Sequence, residues 1–274
     1  MSVLRVARVP YLNTDPFFAP GAAPSGTLIT LSPRQLGEAA ARGQIDAGPL
    51  SVVDYFRLTE WFEPLGNLGI STLGEARSVL LFAQRPLQQL GGCAIEVTDE
   101  SSTSAVLLRL LLEQRYAITP SGYHRGAAAP SSAEAKLAIG DEALRLRMTE
   151  QRMPYRIDLG QEWWLWQALP FVFALWVVRK DAPAQAKEAL RAALESALRT
   201  NLQAPQAIAR QHAASLGMTA QAVEHYLAGF RYRLEHADWQ GLERFRALAQ
   251  TLRPEAAAVS RAPVAQPAPQ AARK

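Results

Sequence analysis

The chain has 274 residues, 49% of them apolar and 20% charged, with a formal net charge of +4. That length can bury one large core or two modest ones, and so small and scattered a charge implies no nucleic-acid partner. Cys93 is the only cysteine and the four histidines, His124, His212, His225 and His236, fall in no metal-ligand spacing, so an internal disulfide is excluded and no metal site is expected.

The opening Met1-Ser2-Val3-Leu4-Arg5-Val6 lacks the basic and apolar regions of a secretory signal and reads as the start of a strand, so a cytoplasmic location is expected. Alternating, β-branched residues predict a strand over Leu4–Val9, ended by Pro10, and a second over Thr27–Leu31. Ser32 followed by Pro33 predicts the N-cap and first position of a helix running to Arg42, before Gly43. Asp46–Leu50, Arg77–Ala83 and Cys93–Thr98 are predicted strands. After the last of these comes the hydroxyl-rich turn Ser101-Ser102-Thr103-Ser104 and the apolar helical stretch Ala105–Leu112. A strand feeding such a turn and then a helix favours an anion, because first-turn amides point outward without intrahelical partners.

Ala135–Gly140 predicts another buried strand, with Asp141 capping a short helix. Ile157–Gly160 leads into a Trp-rich helix over Gln161–Leu169, in which Trp163, Trp164 and Trp166 cannot all face one ligand. Phe171–Val178 is apolar throughout, as a strand covered on both faces should be, and the apolar run Leu169–Val178 that contains it holds Pro170 and is too short to cross a bilayer. Strands alternating with helices predict an α/β fold with largely parallel sheets. From Asp181 onward the pattern is helical, with Pro205 opening one helix, Gly217 closing it and Asp238 capping the last. The Ala- and Pro-rich residues 254–274 carry no apolar period and are expected to be disordered.

The blocks Arg8-Val9-Pro10-Tyr11-Leu12-Asn13-Thr14-Asp15-Pro16, Gly69-Ile70-Ser71-Thr72-Leu73-Gly74, Ser101-Ser102-Thr103-Ser104, Ile139-Gly140-Asp141, Asp158-Leu159-Gly160-Gln161-Glu162-Trp163 and Leu169-Pro170-Phe171-Val172-Phe173-Ala174 stand in order along the chain. Together they resemble the menaquinone biosynthesis family whose members are chorismate dehydratases. The resemblance implies a two-lobed type II periplasmic-binding-protein-like fold with a central ligand cleft. One lobe would hold residues 1–83 and 174–253 with the C-terminal helices, and the other residues 84–173.

It also implies a hydro-lyase that removes water from chorismate, a dicarboxylate, to give 3-[(1-carboxyvinyl)oxy]benzoate, the first step of the futalosine route. That reaction makes the ring aromatic and needs no cofactor. Membrane insertion is not expected. Two alternatives stand beside this reading: a non-catalytic small-anion binding protein of the same fold, and the sister dihydroxynaphthoate synthase of the same pathway.

Asn13 is the catalytic candidate. An amide cannot act as general base, and the resemblance suggests that the enolpyruvyl carboxylate of the substrate is the base, with Asn13 positioning it. Ser71, Thr72 and Ser78 are candidate hydroxyl ligands, Ser102, Thr103 and Ser104 a candidate carboxylate nest at a helix start, and Tyr11 and Tyr155 candidate walls for the ring. The turns at Asn13, at Ser71-Thr72 and at Ser102–Ser104 are expected to border one cleft. Asp158 and Glu162 do not suit an acid–base pair, since uncompensated carboxylates repel a dianion, and are expected to set structure or orient a cleft side chain.

Overall fold

A computed structural model describes residues 4–18 and 26–253. The predicted tail over 254–274 lies outside the described residues. The first sheet begins with β1 (Leu4–Arg8), which a 3-10 turn over Leu12–Phe17 separates from β2 (Gly26–Thr30). Then come α1 (Pro33–Ala41), β3 (Ala47–Ser51), α2 (Val52–Leu58) and β4 (Phe62–Thr72). At α1 the expected start is present as a full capping box: Ser32 accepts from the Gln35 amide, and the Gln35 side chain accepts from the Ser32 amide.

The second sheet is built from β5 (Val79–Ala83), β6 (Ala94–Val97), β7 (Gly122–Arg125), β8 (Ala135–Ile139) and β9 (Tyr155–Asp158). Its helices are α3 (Thr103–Leu110), α4 (Gly140–Thr149) and α5 (Leu159–Gln167). The chain then returns to the first sheet through β10 (Phe171–Arg179). It continues with α6 (Ala184–Gln203), α7 (Gln206–Leu216), α8 (Ala220–Ala228), the short β11 (Phe230–Arg233) and α9 (His236–Thr251).

The strand order is β11-β4-β10-β3-β1-β2 in one sheet and β7-β6-β8-β5-β9 in the other. Each sheet is mixed. The β1–β2, β1–β3, β6–β7 and β6–β8 pairs are parallel, whereas β10 runs antiparallel to β3 and β4, β11 to β4, and β5 to β8 and β9. The expectation of largely parallel sheets is therefore corrected. The two strands that change lobe, β5 and β10, enter the new sheet from the opposite end, which reverses their direction, and β11 then follows the direction of β10 on the other side of β4.

The lobe boundaries also move. Val79–Ala83 pairs wholly within the second sheet and Phe171–Val172 already pair with Thr72 and Ser71 in the first. The crossovers are therefore residues 73–78 and 168–170, not positions after 83 and before 174. The second crossover is pinned by aromatic packing: Trp163 of α5 meets Phe171 of β10 and Phe245 of α9 edge to face, with centroids 5.3 and 6.0 Å apart. The Trp163 indole N–H donates to the Pro170 carbonyl at 3.2 Å, so this Trp belongs to the core, as one of the three had to. Among the described residues, no helix is long and apolar enough to cross a membrane.

Candidate functional site

The cavity between the lobes is assembled from the strand ends that face the cleft. Val9 and the Asn13 turn follow β1, Ser51 ends β3, Ile70 lies near the end of β4, and Phe173 and Ala174 lie in β10. From the other lobe come Ser78 and Val79, Ser101, Thr103 and Ser104 after β6, and Ile139 and Gly140 after β8. The space is about 620 Å3 with its mouth included. Among the described residues that line it there is no Asp, Glu, His, Lys or Arg. Tyr11 is the one titratable side chain there, and its phenol donates a short hydrogen bond to the Glu100 carboxylate.

Asn13 lines this cavity, and its buried Oδ1 has no hydrogen-bond partner. The turn beneath it is firmly set. Thr14 Oγ1 donates to the Val9 and Tyr11 carbonyls at 2.6 and 2.8 Å, and the Thr14 amide donates to the Tyr11 carbonyl. Below the turn the buried Asp15 is paired with Arg8 Nη2 at 2.6 Å, and His212 Nε2 lies 2.5 Å from its other oxygen. The unsatisfied oxygen thus belongs to a side chain on a rigid base.

Around the start of α3 the hydroxyls divide their work. Ser101 Oγ accepts from the Ser104 amide at 3.0 Å, which makes it the side chain that caps the turn. Thr103 Oγ1 accepts from the Val53 amide of the other lobe at 3.2 Å, and Ser104 lines the cavity without a cross-lobe bond. Ser102 is not among the cavity-lining residues. It faces the buried Asp54, whose carboxyl is raised by desolvation.

Ser78 is buried against the cavity, where its Oγ lies 2.7 Å from the hydroxyl of Tyr226. The loop before it is clamped by Asp158, whose carboxylate accepts from the amides of Ala76, Arg77, Gly160 and Gln161 at 2.6–3.1 Å. Burial raises the Asp158 carboxyl, and these four amides counter the rise. Glu162 points elsewhere, pairing with Arg115 at 2.7 Å and accepting from the Tyr116 hydroxyl. Both acids thus hold structure, as expected of carboxylates that would repel a dianion.

Besides Ser102, three further expected ligands do not reach the cavity. Ser71 faces the opposite side of β4 from the cavity-lining Ile70, as neighbours on a strand must, and donates to Asp238 Oδ1 at 2.7 Å. Thr72 donates back to the Gly74 carbonyl at 3.2 Å within its own turn. Tyr155 is exposed at the far end of β9, opposite Ala83, whereas the cavity touches β5 at Val79. Asp238 is not the N-cap of α9. It stands at the third position, accepts from the Glu235 amide and is fully buried under Ser71.

Asp141 likewise does not cap its own helix but reaches across the cleft, accepting from the Leu12 amide at 3.0 Å. With the Tyr11–Glu100 bond and the bond from the Arg34 amide to the Glu100 carbonyl at 3.1 Å, this holds the lobes together. Burial and the adjacent Glu100 carboxylate push the Tyr11 phenol well above its usual range. Gly140 has φ +57°, and a Cβ there would stand 2.8 Å from the Tyr11 ring, so the closure requires glycine on two grounds. Glu100, Asp141 and Gly140 were missed as site elements because their contacts join segments more than 60 residues apart.

Two mixed sheets, two crossovers and a cavity between them define a two-lobed α/β protein of the type II periplasmic-binding-protein class. Solved structures agree. The protein AF1704 from Archaeoglobus fulgidus superposes with a TM-score of 0.71 at 16% identity, covering 90% of this chain and 97% of that one. The CA3427 gene product of Candida albicans, which exhibits the generic periplasmic binding protein structural fold, gives a TM-score of 0.67 at 10% identity, covering 93% and 92%.

Within that class the sequence is more specific. The family described as menaquinone biosynthesis matches residues 4–251, and the chorismate dehydratase of Thermus thermophilus is 32% identical over 230 residues, covering 78% of this chain and 83% of that protein. The chain belongs to the menaquinone biosynthesis family.

Proposed function

We propose that the protein is a chorismate dehydratase, a hydro-lyase that eliminates water from chorismate to give 3-[(1-carboxyvinyl)oxy]benzoate. Family membership and the similarity to a chorismate dehydratase support the reaction. The observation that carries the mechanism is the lining of the cavity: largely apolar, with an amide and several hydroxyls but almost no titratable group, and with the unpartnered Asn13 side chain on its wall.

An elimination needs a base to take a proton and a route for the departing hydroxyl. Among the described residues that line the cavity, the side chains offer an amide and hydroxyls, and the Tyr11 phenol is committed to Glu100. A carboxylate of the substrate therefore takes the proton, and the protein's task is to hold that carboxylate against the ring C–H. Asn13 positions it. Ser78 and Ser104, with the amides at the start of α3, receive the second carboxylate, where a helix N-terminus favours an anion without a net positive charge. Aromatisation of the ring supplies the driving force, and water leaves as the ring gains its third double bond.

Incubation of the purified protein with chorismate, followed by proton NMR, tests the reading. New aromatic signals should grow, and the two vinyl ether signals shift without changing in total, as the ring alkene signals of chorismate disappear at a rate proportional to enzyme. Chorismate bound but unchanged would sink the dehydratase reading in favour of a small-anion binding protein.

A further inference from the structure

Tyr226 takes no part in the elimination just described, yet its hydroxyl is the nearest partner of a side chain that does. It lies on α8, 2% exposed, with its ring edge-on to Phe230 at a centroid distance of 5.0 Å. Its oxygen stands 2.7 Å from Ser78 Oγ. The direction of this bond follows from counting hydrogens. A buried phenol hydrogen without an acceptor is costly, and Ser78 Oγ is the acceptor within reach of Tyr226. Ser78 has an alternative for its own hydrogen only in the Ala76 carbonyl, at a long 3.4 Å. Tyr226 therefore donates and Ser78 accepts. Burial together with the field of Asp141 and Asp158 raises the phenol far above its ordinary range, so it stays protonated and remains a donor.

We propose that Tyr226 is a positioning residue for catalysis: by donating to Ser78 Oγ it leaves the Ser78 hydrogen free to be given to an anionic ligand in the cavity. A serine hydroxyl alone rotates freely and is donor or acceptor with equal ease. With one of its two lone pairs occupied from behind, its hydrogen is left to choose between the long Ala76 contact at 3.4 Å and a better acceptor in the cavity. The device also joins α8, packed on the first lobe, to the crossover that opens the second. Ser78 is thereby fixed relative to Asn13 on the opposite wall. The inference rests on the dehydratase reading for the identity of the anion, but not for the geometry of the pair.

A double-mutant cycle tests it, using Tyr226→Phe, Ser78→Ala and the double variant, with chorismate turnover and calorimetric chorismate binding measured for each. Tyr226→Phe keeps the ring and removes one oxygen. It should lower kcat/KM about tenfold with an unchanged melting profile, and Ser78→Ala should lower it at least as much. The double variant should be no slower than Ser78→Ala, because the phenol acts only through the serine. Multiplicative losses, or a Tyr226→Phe enzyme as fast as wild type, overturn the proposal.

If Tyr226→Phe does not fold, the wild-type protein supplies the reading. The exchange-protected Tyr226 hydroxyl proton should show a cross-relaxation contact to the Ser78 methylene and shift on adding chorismate; a resonance indifferent to ligand overturns the role. Wild-type protein that binds chorismate without converting it overturns the dehydratase reading alone, and non-additive binding across the cycle then still supports the Tyr226–Ser78 coupling. Protein that neither binds nor converts chorismate overturns both.

Discussion

A buried amide oxygen without a partner costs about 1–3 kcal/mol, and Asn13 carries one on the wall of the cavity. Such a group is tolerated where a ligand repairs it. Asn13→Ala removes the orphan, so stability should hold or rise slightly in thermal unfolding. Turnover of chorismate should fall on the order of a hundredfold or more, since misplacing a reacting group by about 1 Å costs that much. Affinity should fall far less if the start of α3 still grips the second carboxylate. A folded Asn13→Ala protein with near-normal kcat would remove this residue from the mechanism.

Asn13, Ser78, Thr103 and Ser104 were legible in the sequence because each follows or precedes an apolar strand on the cleft side, a position that chain order alone specifies. Ser71, Thr72, Ser102 and Tyr155 were not. Which face of β4 Ser71 takes depends on its pairing with Val172 and Arg231, and which end of β9 meets the cleft depends on the antiparallel register of Ala83 with Tyr155.

The loop of residues 73–78 shows how an element end is held in an unfavourable shape. Arg77 has φ +62°, a left-handed conformation that non-glycine residues resist, and the two Asp158 oxygens grip the amides of Ala76 and of Arg77 itself. Asp158→Ala should cost about 3 kcal/mol, because it strands several part-buried amides at once. It should also lower turnover by releasing Ser78. Urea unfolding and kinetics on the same preparation check both, and a variant that is destabilised yet fully active would separate Asp158 from the site.

The elements themselves were unevenly readable. Ser32-Pro33 announced α1 because capping is local chemistry. The longest strand, β4, was absent from the sequence reading, because Pro64, Gly66 and Gly69 interrupt it and its apolar residues do not alternate. Irregular pairing explains why it forms nonetheless. The ladders to β10 and β11 shift register along its length, and Gly69 lets the Ala174 carbonyl and the Leu234 side chain approach to where a Cβ would stand.

At the scale of the whole molecule, five of the seven tyrosines have phenols raised above the usual range, chiefly by burial: Tyr11, Tyr55, Tyr116, Tyr226 and Tyr232. Tyr116 is raised to about 12. Since the folded chain keeps these protons when the unfolded chain releases them, their contribution is complete below about pH 10, the unfolded phenol value. It is lost as pH climbs from there toward the folded values. Melting temperature should therefore fall steeply above about pH 10. Tyrosinate absorbance should appear in two stages, an early one from exposed rings and a late one coincident with loss of helical circular dichroism. A single titration near about pH 10 with the fold intact would contradict the burial of these rings.

The strand order of the first sheet has a consequence during synthesis. β4 is flanked by β10 and β11, so both of its neighbours, residues 171–179 and 230–233, emerge from the ribosome long after it does. Meanwhile every strand of the second sheet lies between residues 79 and 158 and can pair as soon as that stretch is out. The inserted lobe is thus the first complete unit on a nascent chain, and the lobe that begins the protein is the last to close. Until then an eleven-residue strand waits with both edges bare, a condition that invites pairing with the wrong chain. Nascent chains stalled once residue 170 has left the ribosome should yield a protease-resistant core spanning 79–167 and little else, and the same stall placed to release residue 251 should protect the first lobe as well.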